Sequence, residues 1–276
     1  MRYRFAKSQR NYADYAGGRV FYSLPGHPAF PIRLASEIFQ RCLAIRAMNG
    51  QATPCVLYDP CCGGAYHLST LGYLHRQAIA EIIASDVDED ALALARRNLG
   101  LLTLAGINKR IAEIHEMLML YDKTSHAVAL ASAEMLKQQL QQLPETHQLR
   151  HRVFQADATD ADAIRAGMGA QTVDVVITDV PYGRHSEWHS EEKEEGISQR
   201  HRQNNDGKRP RSTNNLHQML AALLPVLASG AVVAVASDKR QTIAHEAYQR
   251  LDKFRVGKRQ VAILAVGCRP FSVQST

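Results

Sequence analysis

From residue 55 the chain alternates short apolar runs with segments whose apolar residues recur at helical spacing. Cys55-Val56-Leu57-Tyr58 ends in Asp59, and Glu81-Ile82-Ile83-Ala84-Ser85 ends in Asp86. Val153-Phe154-Gln155-Ala156 ends in Asp157, and the run from Val173 to Thr178 ends in Asp179. A fifth run, Ala231 to Ala236, follows, and Phe254 to Val266 divides into two strands around Gly257-Lys258. Between these runs the spacing predicts helices over about 67–77, 89–103 and 214–228, and one more after Ala236. Such alternation gives an α/β fold, an open and mainly parallel sheet with helices on both faces. Sheets of this kind bind ligands outside the carboxyl ends of their strands. One aspartate at a strand end is an ordinary helix cap. Four at the same edge point to a polar ligand crossing it.

Residues 1–50 read as a separate piece. Gly17-Gly18, Pro25-Gly26 and Pro28 mark an arm of turns, and Pro31 then opens a helix whose stripe is Leu34, Ile38, Phe39, Cys42, Leu43 and Ile45. The sheet domain occupies 51–276 with two interruptions. Residues 104–148 predict an inserted helical pair. Residues 184–213 are a hydrophilic loop, acidic at Glu191, Glu192, Glu194 and Glu195, then basic at Arg200, Arg202, Lys208, Arg209 and Arg211.

Apolar residues make up 45% of the 276, enough for one large core. No apolar run reaches the roughly 18–20 residues that span a bilayer. The opening MRYRFAKSQRNY has no apolar signal region. Five cysteines without a CxxC pair suit reduced thiols better than disulfides or zinc, so the expected compartment is the cytoplasm. The net charge of +6 is unevenly spread. Residues 1–46 hold eight basic residues against Asp14 and Glu37, residues 239–269 hold eight against Glu246 and Asp252, and the remainder is acidic. Two basic ends suggest a surface that faces a polyanion.

Asp59-Pro60-Cys61-Cys62-Gly63-Gly64-Ala65-Tyr66 joins the first strand to a helix. Its glycines let backbone approach a ligand closely, yet it is neither a spaced G-x-G-x-x-G nor a P-loop. A ligand without phosphates fits, and S-adenosylmethionine is one. Asp86, 27 residues on, is placed to accept ribose hydroxyls, with Val87 against adenine and Asp157 accepting from the adenine amine. Asp179-Val180-Pro181-Tyr182-Gly183 combines an acceptor with a stacking ring, as needed to hold a base nitrogen in line with a methyl donor. The histidines give no full metal set: His185-x-x-x-His189 lacks a third ligand, and His115-Glu116 and His245-Glu246 lack a second histidine at H-E-x-x-H spacing. No metal is expected.

Asp59-Pro60-x-Cys62-Gly63, Asp86-Val87-Asp88 and Asp179-x-Pro181-Tyr182-Gly183 resemble motifs I, II and IV of class I methyltransferases, and Phe30-Pro31-Ile32-Arg33-Leu34-Ala35 resembles motif X. Segments 25–41, 58–76 and 83–99 resemble the orthosomycin (avilamycin) resistance methyltransferases, which act on a guanine of 23S ribosomal RNA. The resemblance implies a Rossmann-like sheet of seven strands with an antiparallel last strand. It implies S-adenosylmethionine held by Phe30, Pro31, Arg33, Asp59, Cys61, Cys62, Gly63, Asp86, Val87, Asp157 and Ala158, with Arg33 on the methionine carboxylate. Asp179, Pro181 and Tyr182 would act on the base, ring N1 of guanine first and exocyclic N2 second. The charge distribution, rather than the resemblance, points to Arg2, Arg4, Lys7 and Arg10 as the residues that would hold the RNA or the large ribosomal subunit, while orthosomycin resistance is the outcome that the resemblance implies. Two positions depart from the family pattern. Ala65 stands at the last glycine of Cys-Gly-Ser-Gly, where its methyl would crowd the cofactor, and Val180 replaces the first proline of D-P-P-Y. A tRNA or DNA base methyltransferase, and a catalytically silent RNA-binding module, remain the alternatives.

Overall fold

A computed structural model describes residues 3–8, 10–23, 30–51, 53–144, 148–180 and 211–267 of the chain. Arg2, Pro181, Tyr182, His185, His189 and the loop to residue 210 lie outside the described residues.

Seven strands form one sheet: β1 (Cys55–Asp59), β2 (Ile79–Asp86), β3 (Arg150–Gln155), β4 (Val173–Asp179), β5 (Leu227–Asp238), β6 (Tyr248–Val256) and β7 (Arg259–Val266). Their order is β3-β2-β1-β4-β5-β7-β6. β1 to β5 are parallel, and β7 runs antiparallel to both β5 and β6. The order reverses between β1 and β4, so a crevice opens beyond Asp59 and Asp179.

The helices are α1 (Ile32–Met48), α2 (Tyr66–Leu74), α3 (Glu89–Gly100), α4 (Leu104–Tyr121), α5 (Thr124–Gln141), α6 (Ala161–Met168) and α7 (Arg211–Leu223). Successive strand residues point to opposite faces, and both faces are covered, which is why the central strands are mostly apolar on both. Leu57, Ile82, Val175 and Val232 pack with Leu34, Ile38, Leu68 and Leu92 on one face. Tyr58, Ile83, Val176 and Val233 pack with Ile164, Met219 and Leu220 on the other.

The predicted insertion is a helical hairpin, α4 and α5. It does not stand alone, because Tyr15, Val20 and Phe21 of the arm are buried with Ile107, Ile114, Ala133 and Leu136. The helix predicted after β5 is not there: residues 239–247 hold no helix, and the chain crosses to the sheet edge to begin β6 at Tyr248. Buried Ile243 and the bond from Tyr248 Oη to the Leu220 carbonyl (2.8 Å) tie that crossover to α7 instead. α6 was not predicted. Its start is fixed by Asp160, whose Oδ1 accepts from the backbone of Asp162 and Ala163.

Candidate active site

The strand ends bring most of the expected residues to one edge, but each aspartate meets different partners. Asp59 is fully buried. Its Oδ1 accepts from Cys61 N at 3.0 Å, and its Oδ2 lies 3.1 Å from His67 Nε2, an ion-pair distance off the line of a hydrogen bond. Burial pushes the His67 imidazole down, but Asp59, with Asp179 and the Ile177 carbonyl behind it, outweighs this and leaves it above the usual histidine range.

Gly63 has a φ of 50°, the left-handed region, and a Cβ there would meet nothing within 4 Å. Its N–H donates to Asp86 Oδ2 at 2.7 Å, while Asp86 Oδ1 accepts from Asp88 N at 3.2 Å. Burial raises the Asp86 carboxyl despite these donors. Val87 beside it is 38% exposed, an apolar patch at the rim. Gly64 serves packing rather than ligand approach, since a Cβ there would come within 2.6 Å of Leu94 on α3.

Ala65 has a φ of 52° and is fully buried in the core cluster. Its departure from glycine therefore appears as a strained backbone, on the order of 1 kcal/mol, with the methyl turned into the core. Cys61 is half-buried and Cys62 buried, and burial together with Asp59 and Asp86 pushes both thiols well up, so neither is a nucleophile at neutral pH. Asp157 closes a local turn, its Oδ1 accepting from Thr159 N and Oγ1 at 2.8 Å, and Ala158 is buried behind it.

Asp179 ends β4. Its Oδ2 lies 3.4 Å from an Arg259 guanidinium nitrogen, and its Oδ1 is buried without a hydrogen-bond partner among the described residues. Burial raises its carboxyl to about 6, against the pull of Arg259 and His67. Buried Phe30 joins this group, its ring 5.6 Å from that of His67 and 5.5 Å from the Arg259 guanidinium carbon. Pro31 is exposed and is the cap residue of α1 rather than its first turn.

Arg33 is not brought to this edge. Its Nε and Nη2 donate to the carbonyls of Ala6 and Lys7, and its guanidinium covers the Tyr3 ring at 4.1 Å. It anchors the arm, and a link to a cofactor carboxylate finds no support there. The arm is pinned from below as well: the backbone N–H groups of Arg4, Phe5 and Ala6 donate to the buried Glu37 carboxylate at 2.7–2.9 Å. Arg4, Lys7 and Arg10 remain exposed.

His67 and Arg259 had no signal of their own in the sequence. His67 is one of twelve histidines and belongs to no metal-spaced pair, and Arg259 is one charge in a basic tail. Among the described residues, His217, His245 and Glu246 lie close enough together to hold a cation, but His245 Nδ1 already accepts from Ala247 N. That group sits between α7 and the crossover into β6.

The family described as rRNA methyltransferase AviRa matches residues 1–259. The 23S rRNA (guanine(2535)-N(1))-methyltransferase of Streptomyces viridochromogenes is 36% identical over 262 residues, 95% of each chain. The chain belongs to the AviRa family of rRNA methyltransferases. Two solved structures of AviRa from the same organism have TM-scores of 0.79 and 0.78 at 34% identity, each covering at least 95% of both chains. The resemblance seen in three short segments thus extends over nearly the whole AviRa chain, including the arm and the helical insertion. No helix among the described residues is long and apolar enough to cross a membrane.

Proposed function

We propose that this chain transfers a methyl group from S-adenosylmethionine to N1 of a guanine in 23S ribosomal RNA. The carrying observation is the half-buried Asp179 carboxylate at the strand-order switch, one of its oxygens fully buried and its carboxyl raised to about 6. Guanine N1 bears a hydrogen, which must leave as the methyl group arrives. A carboxylate at about 6 is still ionised at neutral pH, yet holds a proton better than an ordinary aspartate. Tyr182 and Pro181 would flank the base, which must leave its stack to reach this edge.

The residues present fit the donor. Asp86 and Val87 offer an acceptor and an apolar rim for a nucleoside, Asp157 a carboxylate for an exocyclic amine, and Gly63 open space between them. The cofactor, when bound, supplies the electrophilic methyl group. The protein's part is to align acceptor and donor, shield them from water and take the proton.

The exposed Arg4, Lys7 and Arg10, with Arg2, would attract RNA through its phosphates. The substrate name carried by the Streptomyces relative supports N1 over N2. The test is incubation of the protein with labelled cofactor and 23S RNA, followed by digestion. Labelled N1-methylguanosine is expected. Label in another nucleoside, or in tRNA or DNA only, overturns the assignment, and no transfer at all would return the chain to a silent RNA-binding module. Protection against orthosomycins belongs to the same proposal, and expression in a susceptible strain should raise the inhibitory concentration.

A further inference from the structure

The end of β7 faces the active edge because β7 runs against its neighbours: Arg259, its first residue, pairs in register with Asp238, the last of β5. From there the side chain reaches across β5 to Asp179 on β4, with a nitrogen 3.4 Å from Oδ2. Phe30, which enters α1, lies between Arg259 and His67. His67 in turn stands against Asp59 on β1. Arg259, Phe30 and the Asp59–His67 pair, from three stretches of the chain remote in sequence, therefore gather in one chain of contacts that ends on the Asp179 carboxylate.

We propose that Arg259 is a positioning residue for methyl transfer, holding the Asp179 carboxylate in place and ionised so that it can accept the guanine proton. This rests on Asp179 as the proton acceptor. A half-buried carboxylate with no cation beside it would take up a proton from solvent and lose its capacity as a base. The Arg259 contact is long and touches one oxygen only, so it favours the charged form without the clamp of a two-point pair. Among the described residues, the charged and titratable groups around Asp179 are Arg259 from β7, His67 from α2 and Asp59 from β1, with Asp238 at the rim of β5, where its Oδ1 accepts from Arg240 N. Both cations favour ionisation. Asp59 opposes it, and His67 offsets Asp59.

The experiment is a pH profile of single-turnover methyl transfer to 23S RNA by the full chain, with cofactor affinity measured alongside by calorimetry. Arg259→Gln should move the acid limb of the profile to higher pH by about one unit, a roughly tenfold loss below the limb, with most of the rate recovered at alkaline pH and cofactor affinity little changed. Arg259→Lys keeps the charge and should hold the limb near its wild-type position. A uniform loss with the limb unmoved overturns the proposal, and so does a limb in Arg259→Lys displaced as far as in Arg259→Gln. If Arg259→Gln does not fold, the lysine variant alone still decides between charge and shape. Asp179→Asn separates the two levels: a wild-type rate in that variant would remove Asp179 as acceptor, whatever Arg259 does.

Discussion

Asp59, Asp86, Asp157 and Asp179 look alike in the sequence, each closing an apolar run, and the folded chain gives each a different neighbour. The shared position was legible because strand ends in a parallel sheet fall on one edge whatever the loops do. The division of labour was not, because it depends on His67 from α2 and Arg259 from β7, which no local pattern connects to an aspartate. Asp86 holds the Gly63 loop through a 2.7 Å bond. Asp86→Ala should weaken S-adenosylmethionine binding by about 1–3 kcal/mol, the cost of lost bonds to a charged group. Calorimetry on folded protein checks this, and an unchanged affinity would put the nucleoside site elsewhere. Asp179 also has a consequence for stability. Its folded carboxyl, at about 6, lies above its unfolded value, so stability falls as pH rises from the unfolded value through about 6 and stays reduced above it. Asp179→Asn removes that cost. Its melting temperature should exceed wild type by several degrees at pH 8, on the order of 2 kcal/mol, and the gain should shrink towards pH 4. A melting temperature equal to or below wild type at pH 8 would mean that the pair with Arg259 outweighs the burial.

At the scale of elements, β1, β2, β4 and β5 are legible because burial on both faces makes most of their residues apolar. The sequence predicts a helix in the crossover before β6, but the chain there is irregular, and its apolar Ile243 and Tyr248 dock on α7 instead. The role of α1 was half legible: its apolar stripe gave the helix, but nothing in it announced that Glu37 is fully buried on a face meant for the core. Burial pushes the Glu37 carboxyl up, yet the three arm N–H groups and Arg41 outweigh this and hold it below the usual range. Arg41 is shared with Asp252 on β6 at 2.7 Å, so one network joins the arm, α1 and the sheet edge. Glu37→Gln should therefore loosen the arm and destabilise the fold by roughly 3 kcal/mol, as when one partner of a buried pair is removed. Hydrogen exchange at the Phe5 and Ala6 amides should quicken alongside the fall in melting temperature. Unchanged protection there would show that Arg33 alone holds the arm.

For the whole molecule, the charge tally pointed to the right ends of the chain but overstated what they present to solvent. Arg41 and Arg46 are buried against Glu37, Asp252 and Asp174, Arg33 is bonded to arm carbonyls, and Arg259 pairs with Asp179. Sequence counts charges without their partners, so these four looked the same as Arg4, Lys7 and Arg10. What remains is smaller and better placed. The arm is docked on α1, and Arg4, 66% exposed, reaches Asp252 on β6 at 3.5 Å, so the basic start of the chain meets the strand that carries Arg250, Lys253 and Arg255. A folded RNA would be drawn to such a surface by phosphate charge, with counterions released as it binds. Neutralising Arg2, Arg4, Lys7 and Arg10 together should raise the RNA Kd and flatten its dependence on salt. Single-turnover transfer at saturating RNA should stay near wild type, since Arg4, Lys7 and Arg10 make no described contact with the Asp179 group. Stability should barely change, because the only described ion pair lost is exposed and Asp252 keeps Arg41. RNA titrations of wild type and the fourfold variant at two salt concentrations distinguish the outcomes. Curves that superimpose at both salts would confine the arm to a structural role on α1 and leave RNA binding to other surfaces.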